Sequence, residues 1–257
     1  MRGLAFWGRM ALCLPQAMAV RARAPRLPAA PGPSCGQVPV GTSLADVRLL
    51  QLLGVGDSII AGVGATDSGS ALVASLARAL AHSLAHPVAW RTLARSGADA
   101  RAVHRQVLAG DAGPSADLMV VSVGVNDVIG LNLGRRWQRD LATLAVALRR
   151  HSPDALIALV GLPPLDRFPL LPPALARVLG GRARAFDAGL AELAAGERRL
   201  LHVPIGPAVG PELFSGDGFH PGDAGYRVLA GLVAKVLLER WRSDPLPPGL
   251  VEPHPVS

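Results

Sequence analysis

From Val47 onward the chain alternates short apolar runs with longer stretches whose apolar positions recur every three or four residues. The short runs are Val47 to Val55, Val88 to Ala94, Leu118 to Val123, Leu156 to Val160 and Leu201 to Val203. Runs of this length and composition are what strands buried on both faces require. The longer stretches, Ser70 to His86, Ala98 to Leu108, Leu133 to Arg150, Pro173 to Leu193 and Pro221 to Trp241, each carry an apolar face at helical spacing. Pro221 stands where a first-turn proline is tolerated. The alternation predicts an α/β domain, a parallel sheet with helices on both faces, whose ligands gather at the carboxyl ends of the strands.

The pattern changes before Val47. Residues 4–20 are apolar but broken by Arg9 and Pro15, too short and interrupted to read as a membrane span. Ala24 to Gly41 is dense in proline and glycine and reads as an extended linker. We therefore divide the chain into a leader and linker (1–45), a catalytic domain (46–243) and a proline-rich tail (244–257). The expectation for the leader is peripheral membrane contact through residues 4–23, its arginines meeting anionic lipid at about 1 kcal/mol each near the surface. A signal peptide ranks below it, because Arg21, Arg23 and Arg26 directly follow the apolar stretch and oppose translocation. A disordered leader is the plain alternative, and the expected residence is cytoplasmic.

Charge narrows the function classes. The formal net charge is +7, but residues 1–45 hold five of the 26 basic residues and no acid, leaving 21 basic against 19 acidic beyond them, or +2. With aromatics at 4%, the domain lacks the basic, aromatic-studded face of a nucleic-acid binder. Lys235 is the one lysine, so lysine-based nucleophilic or P-loop chemistry would rest on that residue alone. Cys13 and Cys35 both precede the domain and frame neither a disulfide scaffold nor a zinc site.

Four strand ends carry the candidate chemistry. The first strand runs into Gly56-Asp57-Ser58, which places a serine at a strand-to-helix turn; Ile60 excludes the Gly-x-Ser-x-Gly elbow. The second ends in Ser96-Gly97, where a backbone N–H can approach a substrate oxygen. The third runs into Gly124-Val125-Asn126-Asp127, and an asparagine amide can donate to a developing oxyanion without adding charge. Near the C-terminus Asp217 precedes His220 by three residues on a glycine-rich turn, so the carboxylate can orient one ring nitrogen while the other faces Ser58. Asp57, Asp127, Asp217 and His220 could instead hold a divalent ion, but such sites recruit more histidines or a denser carboxylate cluster. No metal or other cofactor is expected, and the remaining histidines read as structural.

Together these motifs, in this order over roughly residues 47–241, resemble the SGNH (GDSL-like) hydrolase family. The resemblance implies a flavodoxin-like, three-layer α/β/α sandwich with a five-stranded parallel sheet, and metal-free hydrolysis of carboxyl esters or thioesters. It implies Ser58 as nucleophile, His220 as base and then acid, and Asp217 as its orienter. The Ser58 and Gly97 N–H groups and the Asn126 amide would form the oxyanion hole, and Asp57 and Asp127 would hold loops. Ile59 stands where the family often has leucine. Carbohydrate O-deacetylation and a non-catalytic binding role remain the alternatives. The stretch Leu162 to Arg184, punctuated by prolines, reads either as an apolar wall or lid for an acyl chain or as a stiffened connection packed on the core.

Overall fold

Each apolar run lies within a residue or two of an observed strand end, apart from the first, which begins later than Val47. The structure is a computed structural model and describes residues 3–23, 25, 27–40, 48–109, 113–206 and 210–243. The central strands are β2 (Leu50–Gly56), β3 (Val88–Ala94), β4 (Leu118–Ser122), β5 (Leu156–Val160) and β6 (Leu200–Val203), all parallel, in the order β3-β2-β4-β5-β6. Side chains alternate between two cores, as a pleated strand demands. Leu52, Val120 and Ala158 meet α2 (Leu72–Leu84) and α7 (Asp223–Ser243) on one face. Leu53, Met119 and Ile157 meet α3 (Ala100–Leu108), α5 (Gly134–His151) and α6 (Pro173–Ala195) on the other. The short helix α4 (Val125–Ile129) follows β4, and α7 begins two residues beyond Pro221. This is the three-layer α/β/α sandwich.

Among the described residues the sheet carries a sixth strand beyond the five parallel ones. Cys35–Val38 forms β1, antiparallel to β3, with Cys35 opposite Arg91 and Val38 opposite Val88. The segment expected to be an extended linker is thus, in part, an edge strand. An edge strand of four residues pairs on one side only and needs few apolar positions, so its composition does not betray it. Gly36 lies against the Trp90 indole, where a Cβ would press on the ring at 2.9 Å.

The leader is also built into the body. Gly3–Arg23 is a helix, α1, that runs through Pro15 and packs on α6. An interior proline costs about 3 kcal/mol, whereas each large apolar side chain buried contributes about 1.5–3 kcal/mol. Phe6, Met10 and Cys13 are buried in the core, which outweighs the proline. Of the apolar side chains expected to meet a membrane, Phe6, Met10 and Cys13 pack on the protein itself, while Leu12, Leu14 and Met18 stay exposed. Among the described residues no helix is long and apolar enough to cross a membrane. The 45/46 boundary and the tail 244–257 lie outside the described residues.

Candidate active site

Strand order reverses at β2, which pairs with β3 on one side and β4 on the other, so Gly56 stands opposite both Ala94 and Ser122. The loops leaving these three strands diverge and open a crevice at the carboxyl edge. Asp57 and Ser58 enter it from β2, Gly97 from β3 and Asn126 from β4 through α4. At Gly56 a Cβ would collide with the Ser122 carbonyl, so only glycine lets β2 approach β4 this closely before the serine.

His220 reaches the crevice on the loop before α7. Its Nε2 lies 3.1 Å from Ser58 Oγ and its Nδ1 2.6 Å from Asp217 Oδ2. The other Asp217 oxygen accepts the Ser215 hydroxyl at 2.8 Å, the Phe219 N–H at 2.8 Å and the His220 N–H at 2.9 Å. Gly218 turns the chain at φ +64°, a left-handed conformation that glycine adopts without strain, so that these donors converge. Burial pushes the Asp217 carboxyl upward, yet the His220 ring, the two N–H groups and the Ser215 hydroxyl outweigh it and hold the group below the ordinary carboxylate range.

Ser58 and Gly97 line the crevice, and among the described residues neither N–H donates to a protein acceptor. Gly97 has φ +78° with open space where a Cβ would stand. The Asn126 amide donates one hydrogen to the Ala98 carbonyl at 3.0 Å, which fixes its plane and leaves the second N–H for a ligand. Asp127 is fully buried; it accepts the Ala100 N–H at 3.0 Å and the Asn132 amide at 2.8 Å, tying α4 to the start of α3. Asp57 accepts the Ile59 N–H at 3.0 Å and the Ser122 hydroxyl at 3.2 Å. Its burial, opposed by these bonds and reinforced by the Asp127 charge, pushes its carboxyl up to about 7. Burial likewise raises Asp127.

The model of the GDSL-like Lipase/Acylhydrolase family matches residues 55–228, more than half of the chain. The chain belongs to the GDSL-like lipase/acylhydrolase family. Among solved structures it is similar to TesA (27% identity, TM-score 0.58), covering 74% of this chain and 99% of that one. It is also similar to the lipase Lip_vut3 from a goat rumen metagenome (18%, TM-score 0.58), covering 78% and 99%. A lipase/acylhydrolase from Enterococcus faecalis (20%, TM-score 0.54) is covered over its whole length, against 81% of this chain. No curated protein matches the chain in sequence.

In this GDSL-like hydrolase the crevice opens into a cavity of about 1050 Å³. Beyond Ser58, Gly97, Asn126 and His220 its walls are mostly aliphatic and phenylalanine, with Arg21, Asp57, Ser96, Ser122 and Asp217 the other charged or hydroxyl side chains in the lining. Leu162, Phe168 and Leu171 form one wall and are at the same time buried in the core. The segment 162–184 therefore contributes both to the cavity wall and to the packed core. It also buttresses the histidine: the Phe168 and Phe219 rings lie 5.2 Å apart, those of Phe219 and His220 5.1 Å, and the Leu170 N–H bonds the Gly218 carbonyl at 3.1 Å. That chain of rings was invisible in sequence because 51 residues separate Phe168 from Phe219.

One of the histidines read as structural, His202, has a defined partner. His202 Nε2 lies 2.9 Å from Asp187 Oδ1, which also accepts the Leu162 N–H at 2.8 Å; the pair pins the cavity wall to α6. Among the described residues no group of three or more His, Cys, Asp or Glu side chains is arranged to hold a metal ion.

Proposed function

We propose that this family member is a serine hydrolase of carboxyl esters or thioesters, with Ser58 as nucleophile, His220 as general base and acid, and Asp217 as orienter. The observation that carries the reading is the Ser58–His220–Asp217 hydrogen-bond chain lining a mostly apolar cavity. Ser58 Oγ attacks the acyl carbon as His220 Nε2 takes its proton, and the imidazolium is stabilised by Asp217. The negative charge that develops on the carbonyl oxygen meets the N–H groups of Ser58 and Gly97 and the Asn126 amide; each such donor supplies about 3 to 4 kcal/mol. His220 returns the proton to the departing alcohol or thiol, and water then releases the acyl group from Ser58 by the reverse path. Asp57 and Asp127 support the loops. The aliphatic walls suit an acyl chain rather than a sugar, which favours this reading over carbohydrate deacetylation.

Turnover of p-nitrophenyl esters and acyl-CoA thioesters, from acetyl to palmitoyl, tests it in the presence of a chelator. The expected outcome is activity that survives chelation and falls at least 10³-fold in Ser58→Ala, on the scale of losing a nucleophile. Equal activity in Ser58→Ala overturns the nucleophile assignment.

A further inference from the structure

Ser58, Gly97, Asn126 and His220 line a cavity whose 1050 Å³ exceeds the roughly 300–1,000 Å³ typical of pockets that enclose a drug-sized ligand. The N-terminal helix lines the same cavity through Met10, Leu14, Ala17 and Met18. Two adjoining stripes share this work. Phe6, Met10 and Cys13 are buried against the body, while Leu14 and Met18, one turn apart, remain 52% and 64% exposed although they line the cavity.

Ten large hydrophobic side chains are exposed among the described residues, and four of them, Leu14, Met18, Ile129 and Val228, ring this one cavity. They come from three elements far apart in sequence: α1, α4 and α7. An apolar rim left in water around polar catalytic groups is the signature of a ligand groove. An alkyl chain leaving the Ser58 acyl carbon along the apolar walls would cover it.

We infer that α1 is a specificity element of this enzyme, Leu14 and Met18 lining an acyl-chain site that selects long-chain over short-chain acyl groups. The inference deepens the ester or thioester reading and rests on it. The helix is held in place by its own clasp. The Arg182 guanidinium lies 4.9 Å from the centre of the Phe6 ring and 4.7 Å from that of Phe186, and donates to the Asn132 carbonyl. Asn132 in turn holds Asp127, so the seat of α1 and the loop that carries Asn126 share one network.

The test compares kcat/KM on p-nitrophenyl esters from acetyl to dodecanoyl, below their critical micelle concentrations, for the full chain and for Leu14→Ser/Met18→Ser. Both side chains are largely exposed, so the exchange empties no core. In the wild type kcat/KM is expected to climb by roughly fourfold per methylene buried. In the double variant the dodecanoyl-to-acetyl ratio is expected to fall at least tenfold. Leu12→Ser, on the solvent side of α1 and 83% exposed, is expected to keep the wild-type ratio. An unchanged ratio in the double variant overturns the inference while leaving the hydrolase reading intact. So does a double variant that loses only its binding to anionic vesicles, which would make α1 a membrane contact. A wild type that hydrolyses neither these esters nor acyl-CoA thioesters sinks the hydrolase reading, and binding of a dansyl-labelled undecanoate to Ser58→Ala then decides: affinity lost on Leu14→Ser/Met18→Ser upholds the chain site, and no binding ends it.

Discussion

Asp57 is a carboxylate with 1% exposure beside Ser58, raised by burial to about 7. Between about 4, the ordinary carboxylate value, and about 7, the folded protein binds a proton here that the unfolded chain releases. Stability from this group is therefore full below about 4 and declines as pH rises through 7. Asp217, held below its ordinary value, acts oppositely: its contribution is present above about 4 and is lost on acidification. Asp57→Asn keeps the oxygen that accepts from Ile59 and Ser122 and removes the titration. Its thermal midpoint is expected to exceed the wild type's at pH 8 and to flatten between pH 4 and 7 in a calorimetric pH series. A slope equal to the wild type's would show that Asp57 ionises without cost.

At the scale of elements, α1 is held by few partners and the sheet by many. Arg182, 9% exposed, clamps Phe6 and Phe186, and Phe186 stacks on Trp137 with ring centroids 5.3 Å apart. Removing the guanidinium in Arg182→Leu loosens one helix rather than the core, since local opening tracks local contacts. Amides of α1 are expected to exchange at least tenfold faster in Arg182→Leu, with those of β4 and β5 unchanged, by hydrogen-exchange mass spectrometry. Unchanged α1 protection would mean that packing alone seats the helix. The elements the pattern missed share a cause. β1 is a four-residue edge, α4 is a single short turn of helix, and α1 carries a proline and an arginine in its middle. In each, tertiary contacts supply what local periodicity lacks.

Across the whole molecule the cavity is where three separately folded elements meet: α1, the segment 162–184 of the α6 region, and α7. A ligand filling it binds only the native state and so stabilises by mass action, about 2.7 kcal/mol at a hundredfold excess over Kd. Dodecanoate is expected to raise the melting temperature of Ser58→Ala by several degrees in differential scanning fluorimetry, and acetate not at all. Equal shifts from both would place the effect outside the chain site.

Several features were legible because they are local. Strands β3 and β5 match their apolar runs end to end, since burial on both faces writes itself into consecutive residues. Asp217 and His220 stand three residues apart, so a single turn suffices to pair them. Ser58, Gly97 and Asn126 could be named as candidates because each follows a strand and glycine permits each turn. What brought them together was the reversal of strand order at β2, a long-range choice that no window of residues encodes. The same holds for the part of the cavity wall that α1 supplies. Residues 3–23 look like a leader on their own, and only their packing on α6 turns them into the side of a cavity, because a helix's partner is set by the shape of the surface it buries and not by its own sequence.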